Sequence, residues 1–138
     1  MKQITKMHGL GNDILIIDQP TITLTPNMIK QLGHRKQGIG FDQCITIKQL
    51  NETSTQIDIH NANGQQVFQC GNGLRCLMAY LANNYQKTAI NIMTGNCQYQ
   101  GKIIHKSKNF LRVIYKKRLF ECKHDIMNGI LNCRALKE

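Results

Sequence analysis

A cysteine followed by a glycine-rich turn stands in the segment QCGNGLRC, residues 69–76. Cys70 precedes Gly71-Asn72-Gly73, and an apolar segment starts directly after them. If that segment is a helix, its first backbone N–H groups lack partners and carry a partial positive charge. Glycines let an anion approach those N–H groups closely. The pattern therefore predicts that the thiolate form of Cys70 is stabilised.

The size of this effect decides what the thiol can do. A helix N-terminus stabilises a negative charge by up to about 2 kcal/mol, and one pKa unit corresponds to about 1.4 kcal/mol. We therefore expect the pKa of Cys70 to lie below its ordinary value, near neutrality, where a thiol can both remove and return a proton. Taken alone, the segment fits equally well with an Asn-Gly turn beside an inert, packed cysteine.

Metal and nucleotide sites are not favoured by the remaining motifs. No Cys-x-x-Cys pair occurs in the chain, so a zinc site is not expected. The segment GLGND, residues 9–13, lacks the third glycine of a dinucleotide-binding loop, and a strand rather than a helix is predicted after it. These motifs therefore predict neither a metal site nor a dinucleotide site.

The element that follows Cys70 has an unusual pattern. In LRCLMAYLANNY, residues 74–85, leucines and a methionine recur at helical spacing, and alanines and a cysteine make most of the remaining circumference apolar. A helix that is apolar nearly all round must be covered on more than one side. The segment therefore predicts a buried central helix.

Other elements are predicted on both flanks of this helix. A short helix is expected over 25–35, with Thr25 as N-cap, Pro26 in the first turn and Gly33 at its end. Strands are expected over 12–18, 40–50 (half-buried), 55–69 (a hairpin with a two-residue Asn63-Gly64 turn), 89–95, 98–105 and 109–117. After about residue 118 the hydrophobic pattern weakens, and we expect at most one weakly predicted helix within 123–138. The expected fold is α+β, a curved, mostly antiparallel β-sheet wrapped around the central helix.

The positive charge is concentrated near the end of the chain. Of 138 residues with a net charge of +10, residues 1–100 hold 8 Lys/Arg and 5 Asp/Glu, whereas 101–138 hold 10 and 3. We expect a solvated basic tail rather than a nucleic-acid site, although nearby Phe110 and Tyr115 leave nucleic-acid binding as an alternative. The chain shows no membrane-length apolar run and no apolar signal core, which predicts a cytoplasmic protein with reduced thiols and no membrane partner.

Four motifs together resemble one enzyme family. They are KMHGLGNDILIID (6–18), GIGFDQ (38–43), HNANGQQVFQCGNGLRC (60–76) and INIMTGN (90–96). Their order and spacing are similar to those in the N-terminal half of diaminopimelate epimerase. The resemblance predicts an epimerase N-terminal-like domain over 1–104, one half of a two-domain fold, and a divergent or truncated basic tail over 105–138.

The resemblance also implies an activity and a set of site residues. The family interconverts LL- and meso-diaminopimelate for lysine and peptidoglycan synthesis, without a cofactor, using two cysteines that face the substrate α-carbon from opposite sides. Cys70 matches the first of these. The positions that match substrate-binding residues are Asn12, Gln43, Asn61, Gly71 and Asn72.

The chain departs from the family pattern in three respects. The family is about twice as long, and its second cysteine lies in a Cys-Gly-Thr/Ser-Gly motif of the later half, whereas CGNG occurs once here. Asn63, Gln65 and Gln66 stand where the family carries Asp, Ser and Glu. We therefore expect a truncated or split enzyme with little activity alone, completed by a second copy or by a companion chain. The alternatives are a proline racemase-like isomerase on the same fold and a non-catalytic assembly partner.

Overall fold

The computed structural model describes residues 3–9, 11–68, 71–106, 110–115, 118–125 and 130–135, with side chains for 4–8, 11–68 and 71–103. The strands in these ranges are β1 Gln3–Gly9, β2 Asn12–Asp18, β3 Gln43–Leu50, β4 Ser54–Asn61, β5 Gln66–Val67, β6 Ala89–Thr94, β7 Cys97–Lys106, β8 Phe110–Tyr115, β9 Arg118–Asp125 and β10 Ile130–Ala135. The helices are α1 Pro26–Gly33 and α2 Gly71–Tyr85. Among the described residues, neither helix is long and apolar enough to cross a membrane.

The strands form one sheet that closes on itself. Their order is β3-β2-β1-β10-β9-β8-β7-β6-β4-β5, and a further pairing between β3 and β4 joins the ends. Seven of the ten pairings among the described strands are antiparallel, and β1–β10, β2–β3 and β4–β6 are parallel. The predicted α+β fold with a curved, mostly antiparallel sheet is confirmed.

Helix α2 lies inside the closed sheet. Every residue from Gly73 to Ala82 is buried, and the helix contacts β1, β2, β3, β7, β8 and β10. An apolar circumference is stable here because strands cover the helix on several sides. The prediction of a buried central helix is confirmed, and the helix begins at Gly71 rather than at residue 74.

Strands β2 and β3 are buried on both faces because they lie between the two helices. Their inner face packs on α2, and their outer face packs on α1. The half-buried strand predicted over 40–50 is therefore wrong for Cys44–Ile47, where four successive residues are buried. The inner cluster includes Ile14, Ile16, Ile45, Ile47 and Leu77, and the outer cluster consists of Leu15, Ile17, Ile29, Phe41 and Cys44.

Helix α1 begins and ends where its sequence signals predict. Thr25 has an extended backbone, and its Oγ1 accepts a hydrogen bond of 3.2 Å from the Met28 N–H, which makes it the N-cap. Pro26 occupies the first helical position, where a missing N–H costs nothing. The last helical residue is Gly33, so the predicted cap and end are confirmed.

The predicted hairpin forms between β4 and β5, but its turn has three residues instead of two. The Asn61 N–H donates to the Gln65 carbonyl (2.8 Å), and the Gly64 N–H donates to the Asn61 carbonyl (2.9 Å). Gly64 has φ +88°, a left-handed conformation that glycine adopts without strain. A turn followed by a left-handed glycine produces the three-residue loop, and Asn63 lies inside it.

The helix predicted within 123–138 is wrong. Strand β9 pairs antiparallel with β8 and β10, and β10 pairs in parallel with β1, where His8 is opposite Asn132. Strand β1 was not predicted either. Mixed polar segments of this kind become strands because neighbouring strands satisfy their backbone groups. Strand β7 crosses residue 104, and the division into 1–104 and 105–138 stays a prediction.

Candidate functional site

Three of the predicted polar residues lie at one end of the sheet. Gln43 opens β3 and Asn61 ends β4, where they are direct register partners. Gln43 Nε2 donates a hydrogen bond of 3.0 Å to Asn61 Oδ1. Asn12 opens the parallel strand β2, two residues before Ile14, which is opposite Gln43. All three side chains are half-buried.

A charged cluster joins the starts of these strands. Arg35 Nη1 donates to Asp13 Oδ2 (2.6 Å), and its Nη2 donates to Asp42 Oδ1 (3.0 Å). The Asp13 N–H donates to Asp42 Oδ2 (2.8 Å), and the Asp42 N–H donates to the Asp13 carbonyl (2.9 Å). Because Asp13 follows Asn12 and Asp42 precedes Gln43, the cluster sets the position of both amide residues.

Asp42 also holds the third strand end. Its carbonyl accepts a hydrogen bond of 3.1 Å from the N–H of Ala62, the residue after Asn61. No motif predicted Asp13, Arg35 or Asp42 as site residues. The sequence signal for the two aspartates was their position directly beside a predicted substrate-binding residue, in the segments GND and FDQ.

Charged neighbours lower the pKa of Asp13. The hydrogen bond from Arg35 is the main cause; partial burial opposes it, and the charges of His8 and Lys6 add to it. His8 Nδ1 lies 2.6 Å from Asp13 Oδ1, and Lys6 Nζ lies 3.8 Å from Asp13 Oδ2. A carboxylate surrounded in this way stays ionised throughout the neutral range.

We expect Arg35→Met to reduce the acid dependence of stability. The folded-state pKa of Asp13 lies below its ordinary value of 3.8, so its contribution is complete above that pH. It is lost as the pH falls through the folded-state pKa. Without the guanidinium, the pKa values of Asp13 in the folded and unfolded states lie closer together. Below about pH 4 the free energy of unfolding should then change less steeply with pH.

Urea unfolding at several acidic pH values measures this slope. Lys36→Met is the matched control, because Lys36 is exposed and its side chain takes no part in the cluster. An identical pH slope in the wild type and in Arg35→Met would contradict the assigned role of the guanidinium.

The start of α2 carries a buried positive charge. Arg75 is 6% exposed, and its Nη2 donates a hydrogen bond to Asn72 Oδ1 in the first turn of the helix. Arg75 Nη1 lies 3.3 Å from the point where a Cβ on Gly71 would stand. Gly71 and Asn72 are half-buried in this turn. Cys70 lies outside the described residues, so its role stays a prediction.

The other cysteines with described side chains differ in accessibility. Cys44 and Cys76 are buried, Cys97 is partly exposed, and none of the three forms a disulfide. Burial raises the pKa of Cys44 to about 12, against a smaller opposing effect of the Thr46 hydroxyl. Cys44 is therefore a neutral thiol at physiological pH. Within the described part of the chain, no group of three His, Cys, Asp or Glu residues could hold a metal ion.

Comparison with known sequences identifies a family. The family model for diaminopimelate epimerase matches residues 4–117. A diaminopimelate epimerase of Legionella pneumophila (strain Corby) is 46% identical over 96 residues, which cover 67% of this chain and 34% of that protein. The diaminopimelate epimerase of Buchnera aphidicola subsp. Baizongia pistaciae is 45% identical over 153 residues, which cover 94% of this chain and 52% of that protein. The chain thus spans about a third to a half of the length of these curated relatives.

Solved structures share the fold. A Pseudomonas aeruginosa protein described as a predicted epimerase aligns with a TM-score of 0.59 at 9% identity, over 87% of this chain and 41% of that one. A phenazine biosynthesis PhzF-family protein of Enterococcus faecalis aligns with a TM-score of 0.55 at 8% identity, over 82% and 39%. At such identities the likeness concerns the fold alone. Because the sequence match extends over residues 4–117, the chain belongs to the diaminopimelate epimerase family.

Proposed function

We propose that this chain supplies one cysteine of a cofactor-independent proton-transfer site that acts on the α-carbon of diaminopimelate. The observation that carries the proposal is the start of α2: the helix begins at Gly71, the residue after Cys70 in the sequence, and buried Arg75 lies against its first turn. The helix N–H groups and the guanidinium both stabilise negative charge. This environment favours the Cys70 thiolate as the base that removes the α-proton.

The same positive charge suits a carboxylate of the substrate. In the proposed complex, the α-carboxylate binds the N–H groups of Gly71 and Asn72. As the α-proton leaves, negative charge spreads onto this carboxylate, so fixed N–H donors lower the energy of the carbanion more than that of the substrate. The first turn of α2 thus both binds the substrate and promotes its deprotonation.

The amide residues at the end of the sheet have a complementary role. Amide side chains both donate and accept hydrogen bonds, so Asn12, Gln43 and Asn61 can bind the ammonium and carboxylate groups of a long diamino-diacid. The bridge from Arg35 to Asp13 and Asp42 holds the strand starts together before the substrate arrives. Groups held in place in this way lose little freedom when the substrate binds.

Inversion needs a proton donor on the opposite face of the planar carbanion. Cys44 and Cys76 are buried and are therefore not accessible to the substrate. The cysteines at 97, 122 and 133 are followed by Gln, Lys and Arg, so they lack the glycine that follows the family's second cysteine. We assign the second thiol to another polypeptide, either a second copy of this chain or a companion carrying the later half of the family fold. The complete assembly would serve lysine and peptidoglycan precursor synthesis in the cytoplasm. The chain alone is then expected to exchange the α-proton but to return it to the same face.

Proton NMR in D₂O tests this proposal on the full chain. With LL-diaminopimelate we expect the α-proton signal to disappear faster than in a protein-free blank, and the meso isomer should not accumulate while the chain is monomeric. L-Proline serves as the control substrate and should not exchange. Absence of exchange above the blank would refute the proposed activity, and exchange of proline alone would instead identify the racemase-like alternative.

Light scattering on the same sample tests the second-thiol assignment. If the chain forms a homodimer, meso-diaminopimelate should accumulate, and its rate of formation should fall on dilution as the dimer dissociates. Accumulation of the meso isomer by a strictly monomeric chain would contradict the need for a second polypeptide.

A further inference from the structure

A cavity of about 220 Å³ lies on the outer side of β3 and β4, where the segment 20–24 crosses these strands. It is lined by that segment and by Thr46, Lys48, Asp58 and His60. His60 and Asn61 are consecutive in β4, so their side chains point to opposite faces of the sheet. The cavity is therefore separate from the candidate site that contains Asn61.

Two buried polar side chains in the cavity lining have unused hydrogen-bonding capacity. Thr46 and His60 are 6% and 7% exposed. Within the described part of the chain His60 Nδ1 has no hydrogen-bond partner, and Thr46 Oγ1 has only the Cys44 thiol. A thiol is only a weak hydrogen-bonding group, so the hydrogen bond between Cys44 and Thr46 leaves the hydroxyl able to bind a stronger partner. Buried polar atoms normally find strong partners, so an unpartnered imidazole nitrogen and a hydroxyl that has only a thiol beside it point to a bound polar molecule.

Burial also determines the charge of the histidine. It lowers the pKa of His60, and the nearby carboxylate of Asp58 opposes this effect only in part. A neutral imidazole donates from one ring nitrogen and accepts at the other. Thr46 and His60 together can therefore bind a hydroxyl or an amide.

Opposite charges lie nearer the surface of the cavity. Lys48 Nζ is 3.6 Å from Asp58 Oδ2, and the two side chains are 50% and 29% exposed. Asp58 Oδ1 also accepts a hydrogen bond of 3.3 Å from Gln66 Nε2. With His60 neutral, the charged groups of the lining comprise one cation and one anion side by side. This arrangement matches a zwitterion better than it matches an anion or a cation alone.

We propose that this cavity binds a free α-amino acid with a short polar side chain. Lys48 pairs with the carboxylate, Asp58 pairs with the ammonium group, and the ligand side chain reaches Thr46 and His60. The volume corresponds to about seven water molecules at roughly 30 Å³ each, which accommodates a ligand of this size. This site does not depend on the function proposed for Cys70.

Isothermal titration of the full chain tests the proposal with L-serine, L-asparagine and L-glutamine as probes. We expect saturable binding of at least one of them. Ethanolamine, which lacks the carboxylate, and 3-hydroxypropionate, which lacks the ammonium group, should bind at least tenfold more weakly. Absence of binding by all three amino acids would overturn the proposal and leave a cavity that holds only water.

Two variants locate the binding. Thr46→Val keeps the side-chain shape and removes the hydroxyl, whose protein partner is only a weakly bonding thiol, so it should weaken binding at least tenfold with little change in Tm. Lys48→Met removes the charge of a half-exposed side chain and should weaken binding similarly, which provides a test even if the first variant does not fold. Lys36→Met, an exposed lysine outside the cavity, is the control. Unchanged affinity in Lys48→Met would overturn the proposal.

Discussion

Cys70→Ser is expected to lower the rate of α-proton exchange in diaminopimelate by about 10²-fold or more, since a positioned general base contributes about 10²–10⁴-fold. A serine hydroxyl stays protonated at neutral pH, so this variant keeps the approximate size of the side chain and removes the base. Arg75 and the first turn of α2 remain in place. Any remaining exchange would measure what the electropositive helix start contributes to acidifying the substrate.

Cys97→Ser is the matched control for this experiment. Cys97 is a partly exposed free thiol at the start of β7, and the proposed chemistry does not use it. We expect its exchange rate to remain within about twofold of the wild type, since surface substitutions rarely perturb distant sites. Equal losses in the two variants, or an unchanged rate in Cys70→Ser, would refute the assigned base.

The pH profile gives an independent test of the same thiol. Exchange should rise with pH as Cys70 ionises and then level off, because only the thiolate removes a proton. The midpoint should lie below the ordinary thiol pKa, since the helix start and Arg75 favour the anion. Ultraviolet absorbance of the thiolate, compared with Cys70→Ser, measures the midpoint directly. A midpoint at or above the pKa of free cysteine would contradict the proposed stabilisation of the Cys70 thiolate.

Asp18→Ala is expected to destabilise the fold by about 3 kcal/mol or more, because each of its two hydrogen bonds from tyrosine contributes at least about 1.5 kcal/mol. Asp18 ends β2 and is 1% exposed. Its Oδ2 accepts a hydrogen bond of 2.7 Å from Tyr80 and another from Tyr85, and its Oδ1 accepts one of 3.0 Å from Gln19. Alanine would leave the buried Tyr80 hydroxyl without this acceptor and remove the polar link between α2 and β2.

Urea unfolding measures this loss. At an m-value of about 2 kcal/mol per molar, the transition midpoint should fall by more than about 1 M. Tyr85→Phe removes one of the hydrogen bonds and should lose less free energy of unfolding than Asp18→Ala. Glu52 is an exposed acidic residue, so the free energy of unfolding of Glu52→Ala should lie within about 0.5 kcal/mol of the wild-type value. A loss in Asp18→Ala no greater than that of the Glu52 control would contradict the proposed role of the carboxylate.

The two tyrosines also predict behaviour at alkaline pH. Burial, followed by the interaction with Asp18, raises the pKa of Tyr85 to about 12 and also raises that of Tyr80. The ordinary value is 10.0, so the unfolded chain ionises first as the pH rises. The contribution of Tyr85 to stability is therefore complete below about pH 10 and is lost between about pH 10 and pH 12. In urea unfolding, the free energy of unfolding of Tyr85→Phe should fall less over this pH interval than that of the wild type.

Local patterns predicted much of the fold. The apolar circumference of α2 predicted burial on several sides, and the closed sheet provides it. The Thr25 cap and Pro26 predicted the start of α1 because capping depends on neighbouring residues alone. Strands β1 and β10 were missed because their polar segments carry weak alternation, and they are stabilised by each other and by β2 and β9.

The candidate site likewise combines features that the sequence predicted with features that it did not. Gln43, Asn61 and Asn12 were identified from motifs, and the strand register then placed all three at one end of the sheet. The link between Arg35 and Asp13 joins residues 22 positions apart, and no local pattern predicts such a pair. The cavity beside Thr46 and His60 was not predicted either, because its lining comes from two strands and a crossing segment.

The amino-acid sequence by itself determined the helix that must be buried, the caps and turns that depend on adjacent residues, and the motifs that place the chain in its family. The tertiary structure decided which strands close the sheet, that β2 and β3 are covered on both faces, and that one guanidinium holds two strand starts together. These features depend on contacts between residues distant in the sequence. Such contacts have energies set by register and packing, which exist only once the chain has folded.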